Sequence, residues 1–156
     1  MIEAKNLFKK FDSGDTQIVA LDNVSFSVKK GEFIAVTGKS GSGKSTLLYQ
    51  LGLLDHPTSG EVVIDGVDVG KLSSDDRTRF RLYYLGYVFQ DYAILPSLSA
   101  IENVSLPLLM QGVDAFVAAE KAKAALERVG LGHRVNNLPS QLSGGEQQRV
   151  AIARAI

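Results

Sequence analysis

The chain has 156 residues, 45% of them apolar, with 17 Lys and Arg set against 17 Asp and Glu. That is length enough for one domain with a core, and it lacks the broad positive field that draws nucleic acid, so a nucleic-acid partner is not expected. Cysteine is absent, which excludes disulfides and thiolate metal sites and fits a reducing compartment. No apolar run approaches the roughly 18 residues of a membrane span, and the opening MIEAKNLFKKF has no apolar leader core. The expected location is the cytoplasm, unless a partner holds the chain at a membrane.

In chain order, residues 1–9 and 17–28 mix apolar and polar positions in partial alternation (Ile18, Ala20, Val24, Phe26, Val28). This predicts half-buried antiparallel strands joined across Asp12-Ser13-Gly14-Asp15. FIAV, residues 33–36, is a continuous apolar run closed by Thr37-Gly38, the pattern of a strand buried on both faces of a parallel sheet. Leucines at 47, 48, 51 and 54 predict a helix over residues 45–54, broken by HPTSG at 56–60. Residues 61–69 read as a second hairpin turning at Asp65-Gly66. Ser73 or Ser74 can cap a short charged helix, after which residues 84–89 return to strand. Ser99 with Glu102, and Ser143 with Glu146, fit the capping box, in which serine and glutamate satisfy the free amides of a helix start. Between them an alanine-rich helix over residues 114–129 stops at Gly130.

The sharpest chemical signal is GKSGSGKS, Gly38 to Ser45, which meets the Walker A pattern between a buried-type strand and an amphipathic helix. Glycines let backbone amides turn inward around a phosphate chain. Lys44 supplies a mobile charge for the outer phosphates, Ser45 a hydroxyl for Mg²⁺, and the helix N-terminus a favourable dipole for the anion. A second anion site is offered by Ser143, Gly144 and Gly145 at the start of a helix whose Val150 and Ile152 can face a core.

LSGGEQQRVAIARA, residues 142–155, resembles the signature of ATP-binding cassette (ABC) ATPases. TLLYQLGLLDHPTSGEVVIDG and YLGYVFQDYAILPSLSAIENVSLPLL extend the likeness over essentially the whole chain, toward the ATPases of macrolide-exporter and lipoprotein-release systems. The resemblance implies an α/β P-loop fold with an antiparallel N-terminal β part and a helical subdomain that carries the signature. Residues 1–93 would form the nucleotide-binding core and β part, 94–142 the helical subdomain, and 142–156 the signature and its helix. ATP would lie on Gly38, Lys39, Ser40, Gly41, Ser42, Gly43, Lys44, Ser45 and Thr46. Mg²⁺ would touch Ser45 and Gln90, the latter matching the family's Q-loop glutamine. Adenine would stack on Phe11, which stands where the family usually carries tyrosine; Phe8 is a second candidate, and either ring also reads as a core residue. Ser143, Gly144, Gly145 and Glu146 would meet ATP held by the other subunit of a homodimer. DYAILPSLS, beginning at Asp91, resembles the loop that meets a transmembrane permease, which would place the subunit on the inner face of the plasma membrane.

Two departures qualify the likeness. Lys39 stands where this group commonly has proline, with little expected loss of binding. The family's apolar strand ending in aspartate and glutamate, its D-loop and its switch histidine are not among these 156 residues. The C-terminal part of the core is therefore expected to be missing, leaving a chain that binds MgATP weakly and carries no catalytic residue of its own beyond the supporting Gln90. Asp65 reads as a hairpin residue, Asp91 as a loop residue, and His56 and His133 as surface histidines. Two alternatives stay open: a non-hydrolysing nucleotide-binding module, and a soluble ABC ATPase outside transport. The latter would place a coiled coil between Gln90 and Leu142, where no sustained heptads occur.

Overall fold

The computed structural model describes every residue except Asp15, and of Ser13 the backbone alone. The chain divides into two compact units, Met1–Arg79 and Phe80–Ile156.

The first unit is built on an antiparallel four-stranded sheet in the order β2-β1-β3-β4. Strands β1 (Ile2–Ser13) and β2 (Thr16–Val28) form the expected first hairpin, both longer than the alternation suggested; Asp15 of its turn lies outside the described residues. Pairing Ala4 with Phe26 and Leu7 with Val24 sets residues 5 and 6 opposite Ser25 alone, a bulge. Asn6 takes the left-handed conformation there (φ 50°), its amide donating to the Ser25 hydroxyl at 2.8 Å. The bulge resets the pleat, so Ala4 and Leu7, three apart, are both buried. Strands β3 (Ser59–Ile64) and β4 (Val67–Asp68) form the second hairpin, turning at Asp65-Gly66 with both residues at positive φ, the two-residue turn that matches strand twist. Asp65 in that turn pairs with the chain's own terminal ammonium. Helix α1 (Lys44–Leu51) buries Leu47 and Gln50; Leu21, Val28, Leu53, Val62, Ile64 and Val69 are the unit's other buried apolar residues.

The run at residues 33–36 departs from expectation. It joins no strand ladder among the described residues, and Phe33 is 98% exposed. A parallel strand draws its ladder hydrogen bonds and both its covers from neighbours, and no described strand lies beside this one. The same correction applies to residues 84–89. Tyr84 ends helix α2 (Ser74–Tyr84), whose first turn is capped by Ser73, and residues 85–89 run on without strand pairing.

The second unit packs three helices: α3 (Ala100–Met110), α4 (Ala115–Arg128) and α5 (Gly144–Ala155). On α4 the buried residues Ala118, Ala122 and Leu126 recur every fourth position and form one apolar stripe. Leu126, Leu131, Leu142, Val104 and Val150 close a core in which alanines 100, 122 and 153 permit close helix approach. Asp114 caps α4 through the amides of Phe116 and Val117, and Gly130 at φ 77° follows its end. Ile152, read as core-facing beside Val150, is 36% exposed; α5 instead buries Val150, Ala151 and Ala153.

Candidate nucleotide site

The loop from Gly38 to Lys44 folds back on its own lysine. The Lys44 ammonium donates to the Gly38 carbonyl at 3.0 Å and the Lys39 carbonyl at 2.7 Å, so the positive charge is held over the loop. Gly41 and Gly43 take φ of 78° and 84°, values that a side chain disfavours. Gly43 also has no room, because a Cβ there would lie 2.2 Å from the Ala20 carbonyl oxygen of β2. Gly43 is the residue before α1 and offers no side-chain cap, and the helix has no acidic residue in its first turn. The first amides of α1 thus have no side-chain acceptor of their own, and the dipole there favours an anion. The hydroxyls of Ser45 and Thr46 make no hydrogen bond within the described chain. Lys39, Ser40 and Ser42 are exposed.

The far end of α1 is braced by polar contacts that sequence reading missed. Lys9 on β1 reaches the Asp55 carboxylate at 2.7 Å and the His56 carbonyl at 2.8 Å, and Gln50 donates to the same carboxylate at 3.0 Å. Burial pushes the Asp55 carboxyl up, but Lys9, the His56 amide and Gln50 together hold it below its ordinary value. Arg77, only 4% exposed, donates to the Asp55 carbonyl at 3.0 Å and lies 2.9 Å from His56 Nδ1. These bonds fix the turn that follows α1. Phe11 is 43% exposed on β1, with the Lys9 ammonium 4.9 Å from its ring centre, while Phe8 is half-buried.

In the second unit the start of α5 is capped differently. The Ser143 hydroxyl accepts from the Glu146 amide, and the Glu146 carboxylate accepts from the Ser143 amide and hydroxyl, both at 2.8 Å. Those two contacts hold the Glu146 carboxyl below its ordinary value against a small opposing effect of burial, with Arg134 and Arg149 adding to the lowering. Ser99 and Glu102 repeat the arrangement at α3. At α5 this leaves Gly144 and Gly145 as the bare positions of the first turn.

Gln90 is exposed in a turn that follows residues 85–89, and residues 91–99 come after it. That loop is pinned at both ends by residues that carried no sequence signal. Asn103 of α3, fully buried, accepts from the Leu95 amide at 2.7 Å and donates to the carbonyls of Leu95, Leu98 and Ser99. Arg154 of α5 donates to the Ala93 carbonyl at 2.7 Å and the Tyr92 carbonyl at 3.1 Å. Asp91 and His133 are exposed, and no set of acidic, histidine or cysteine side chains among the described residues could by itself hold a metal ion.

A P-loop that wraps its own lysine and opens onto an uncapped helix start defines a nucleoside-phosphate-binding protein. The comparisons make the class specific. The ABC transporter family model matches residues 21–156, and the chain belongs to that family, as one of its ATP-binding cassettes. It is 48% identical over its whole length to an uncharacterised ABC transporter ATP-binding protein of Thermotoga maritima, covering 67% of that relative. Identity is also 48% to the lipoprotein-releasing system ATP-binding protein LolD of Shewanella frigidimarina, covering 65% of it. To the macrolide export ATP-binding/permease protein MacB of Hyphomonas neptunium it is 47% identical, covering 24%. Among solved structures it matches the dimeric ATP-binding cassette MJ0796 in a post-hydrolysis state bound to ADP and Pi, with TM-score 0.95 and 43% identity over all of this chain and 69% of that one. The chain therefore spans about two thirds of the length of the cassettes it resembles. No described helix is long and apolar enough to cross a membrane.

Proposed function

We propose that the chain is the ATP-binding subunit of a LolD- or MacB-like transporter, holding MgATP on Gly38 to Thr46 and presenting Ser143, Gly144, Gly145 and Glu146 to ATP held by a second copy. The observation that carries this is the Lys44 ammonium held at 2.7–3.0 Å over a loop whose helix start has no cap of its own. A triphosphate would satisfy the free amides and take over the lysine's charge, which in its absence rests on two carbonyls. Adenine stacks on Phe11, which is 43% exposed and has the Lys9 ammonium 4.9 Å from its ring centre.

The donor set suits Mg²⁺, which prefers oxygen ligands and keeps several waters while bridging substrate phosphates. The Ser45 hydroxyl, free of intrachain bonds, would hold it, with Gln90 as the second ligand. When bound, the ion neutralises charge on the outer phosphates.

A permease docks on residues 91–99, where Leu95 is exposed while Asn103 and Arg154 hold the backbone. That docking places the subunit at the inner face of the membrane, and ATP-driven closure of two cassettes becomes export or extraction of a substrate. Residues 1–93 then serve as the nucleotide-binding core and antiparallel β part, 94–142 as the helical subdomain, and 142–156 as the signature and its helix. Equilibrium binding of a fluorescent ATP analogue with Mg²⁺ tests the reading. Lys44→Ala should weaken binding at least roughly 10-fold through loss of a charge-assisted bond, and Phe11→Ala by about 1–3 kcal/mol through loss of stacking. Damage from Phe8→Ala instead of Phe11→Ala would move the adenine to the other ring, and indifference to Lys44→Ala would sink the site.

A further inference from the structure

Tyr92 stands between the loop at residues 91–99 and the start of α5. Its backbone and that of Ala93 are both left-handed, at φ 64° and 46°, a pair of consecutive non-glycine residues in a sparsely populated region. The Arg154 guanidinium sits against this strained pair, one nitrogen on each carbonyl. Half-buried, Arg154 is held there at the cost of solvation, since burial lowers its pKa. From this anchor at the last turn of α5, the tyrosine side chain runs toward the first turn, where its hydroxyl lies 3.2 Å from the point a Cβ on Gly144 would occupy. Helical Cβ positions tilt toward the N-terminus, so the phenol sits on the open side of Gly144. Its hydroxyl makes no hydrogen bond within the described chain. Gly86 approaches the same helix, a Cβ there falling 2.1 Å from the Ala155 carbonyl oxygen, so the segment before the loop is also fitted to α5.

We propose that the Tyr92 hydroxyl is a further donor of the signature site, aimed by Arg154 at the terminal phosphate of the nucleoside triphosphate that a second copy presents to Gly144 and Gly145. The inference rests on the two-copy reading above and deepens it. Tyr92 adds a hydroxyl without a bond among the described residues beside Ser143, whose amide and hydroxyl donate to Glu146. The donor belongs to the loop that faces the permease, so a shift of that loop that breaks the Arg154 bonds withdraws the hydroxyl from the phosphate. Arg154 is a positioning residue, acting through Tyr92.

The test uses the intact protein with Mg²⁺ and the β,γ-imido analogue of ATP, measuring binding at high dilution and analogue-driven self-association by sedimentation. Tyr92→Phe keeps the ring and removes only the donor, so binding by the single subunit and the melting temperature should stay at wild-type values. Self-association should need roughly 10-fold more analogue, as for loss of a hydrogen bond to a charged group. Arg154→Met should weaken self-association at least as much and raise amide exchange at residues 92–95, and Arg154→Lys should restore part of both. Self-association of Tyr92→Phe at the wild-type analogue concentration overturns the proposal while leaving the two-copy reading intact. A wild-type protein that binds the analogue without associating overturns that reading, and the proposal with it.

Discussion

The two helix starts of this molecule solve the same problem in opposite ways. At α1 the residue before the helix is a glycine that offers no side-chain cap, and the Lys44 ammonium folds onto the loop. At α5 a serine and a glutamate satisfy one another's amides. The first start has no cap of its own, and on the proposed function a phosphate chain would supply its partners. The second carries a formed cap of its own and leaves Gly144 and Gly145 bare. An anion at α1 therefore contributes to the stability of the loop, whereas an anion at α5 is added to a helix that stands without it.

The largest expected difference comes from the glycines. Gly43→Ala places a methyl 2.2 Å from the Ala20 carbonyl at a φ of 84° and should destabilise the first unit by about 2–4 kcal/mol in a urea titration. Gly145→Ala meets nothing closer than an Arg149 nitrogen at 3.9 Å and should leave stability unchanged or raise it by up to about 1 kcal/mol. Equal losses at both positions would erase the contrast. A smaller effect separates the serines. Ser143→Ala removes a formed cap and should cost about 1 kcal/mol, while Ser45→Ala, whose hydroxyl bonds nothing in the chain, should stay within about 0.5 kcal/mol in thermal melts without nucleotide.

Acid sharpens the comparison further. Glu146 and Glu102 have carboxyls held below their ordinary value of 4.5 by Ser143 and Ser99. A carboxyl depressed in the folded state contributes stability that is present above its unfolded pKa and lost as pH falls through the lower folded value. The starts of α5 and α3 should loosen below that ordinary value of 4.5, seen as faster amide exchange at residues 144–147 and 100–103. The start of α1 has no acidic residue in its first turn and should not change over the same window. Loosening of α1 together with α5 would show that the caps are not the titrating element.

What the sequence determined by itself is whatever closes over a few residues. Ser99 with Glu102 and Ser143 with Glu146 are spaced so that one turn of helix brings serine and glutamate together, and Asp65-Gly66 can adopt the positive φ of a tight hairpin turn without help. The Walker A pattern of Gly38 to Ser45 is local in the same way, and the family likeness followed from such stretches. The tertiary structure decided what depends on residues far apart. Arg154 meets Tyr92 and Ala93 across 62 and 61 positions, Lys9 meets the His56 carbonyl across 47, and Arg77 meets His56 across 21; no periodicity marks any of them, because each is an ordinary polar residue until the fold brings an acceptor to it. The run at residues 33–36 shows the converse: its apolar pattern specifies a buried strand, yet burial needs neighbours on both sides, and with none beside it among the described residues Phe33 stands in solvent. Local order can be written into a segment, but a buried strand or a buried cation is a property of its surroundings.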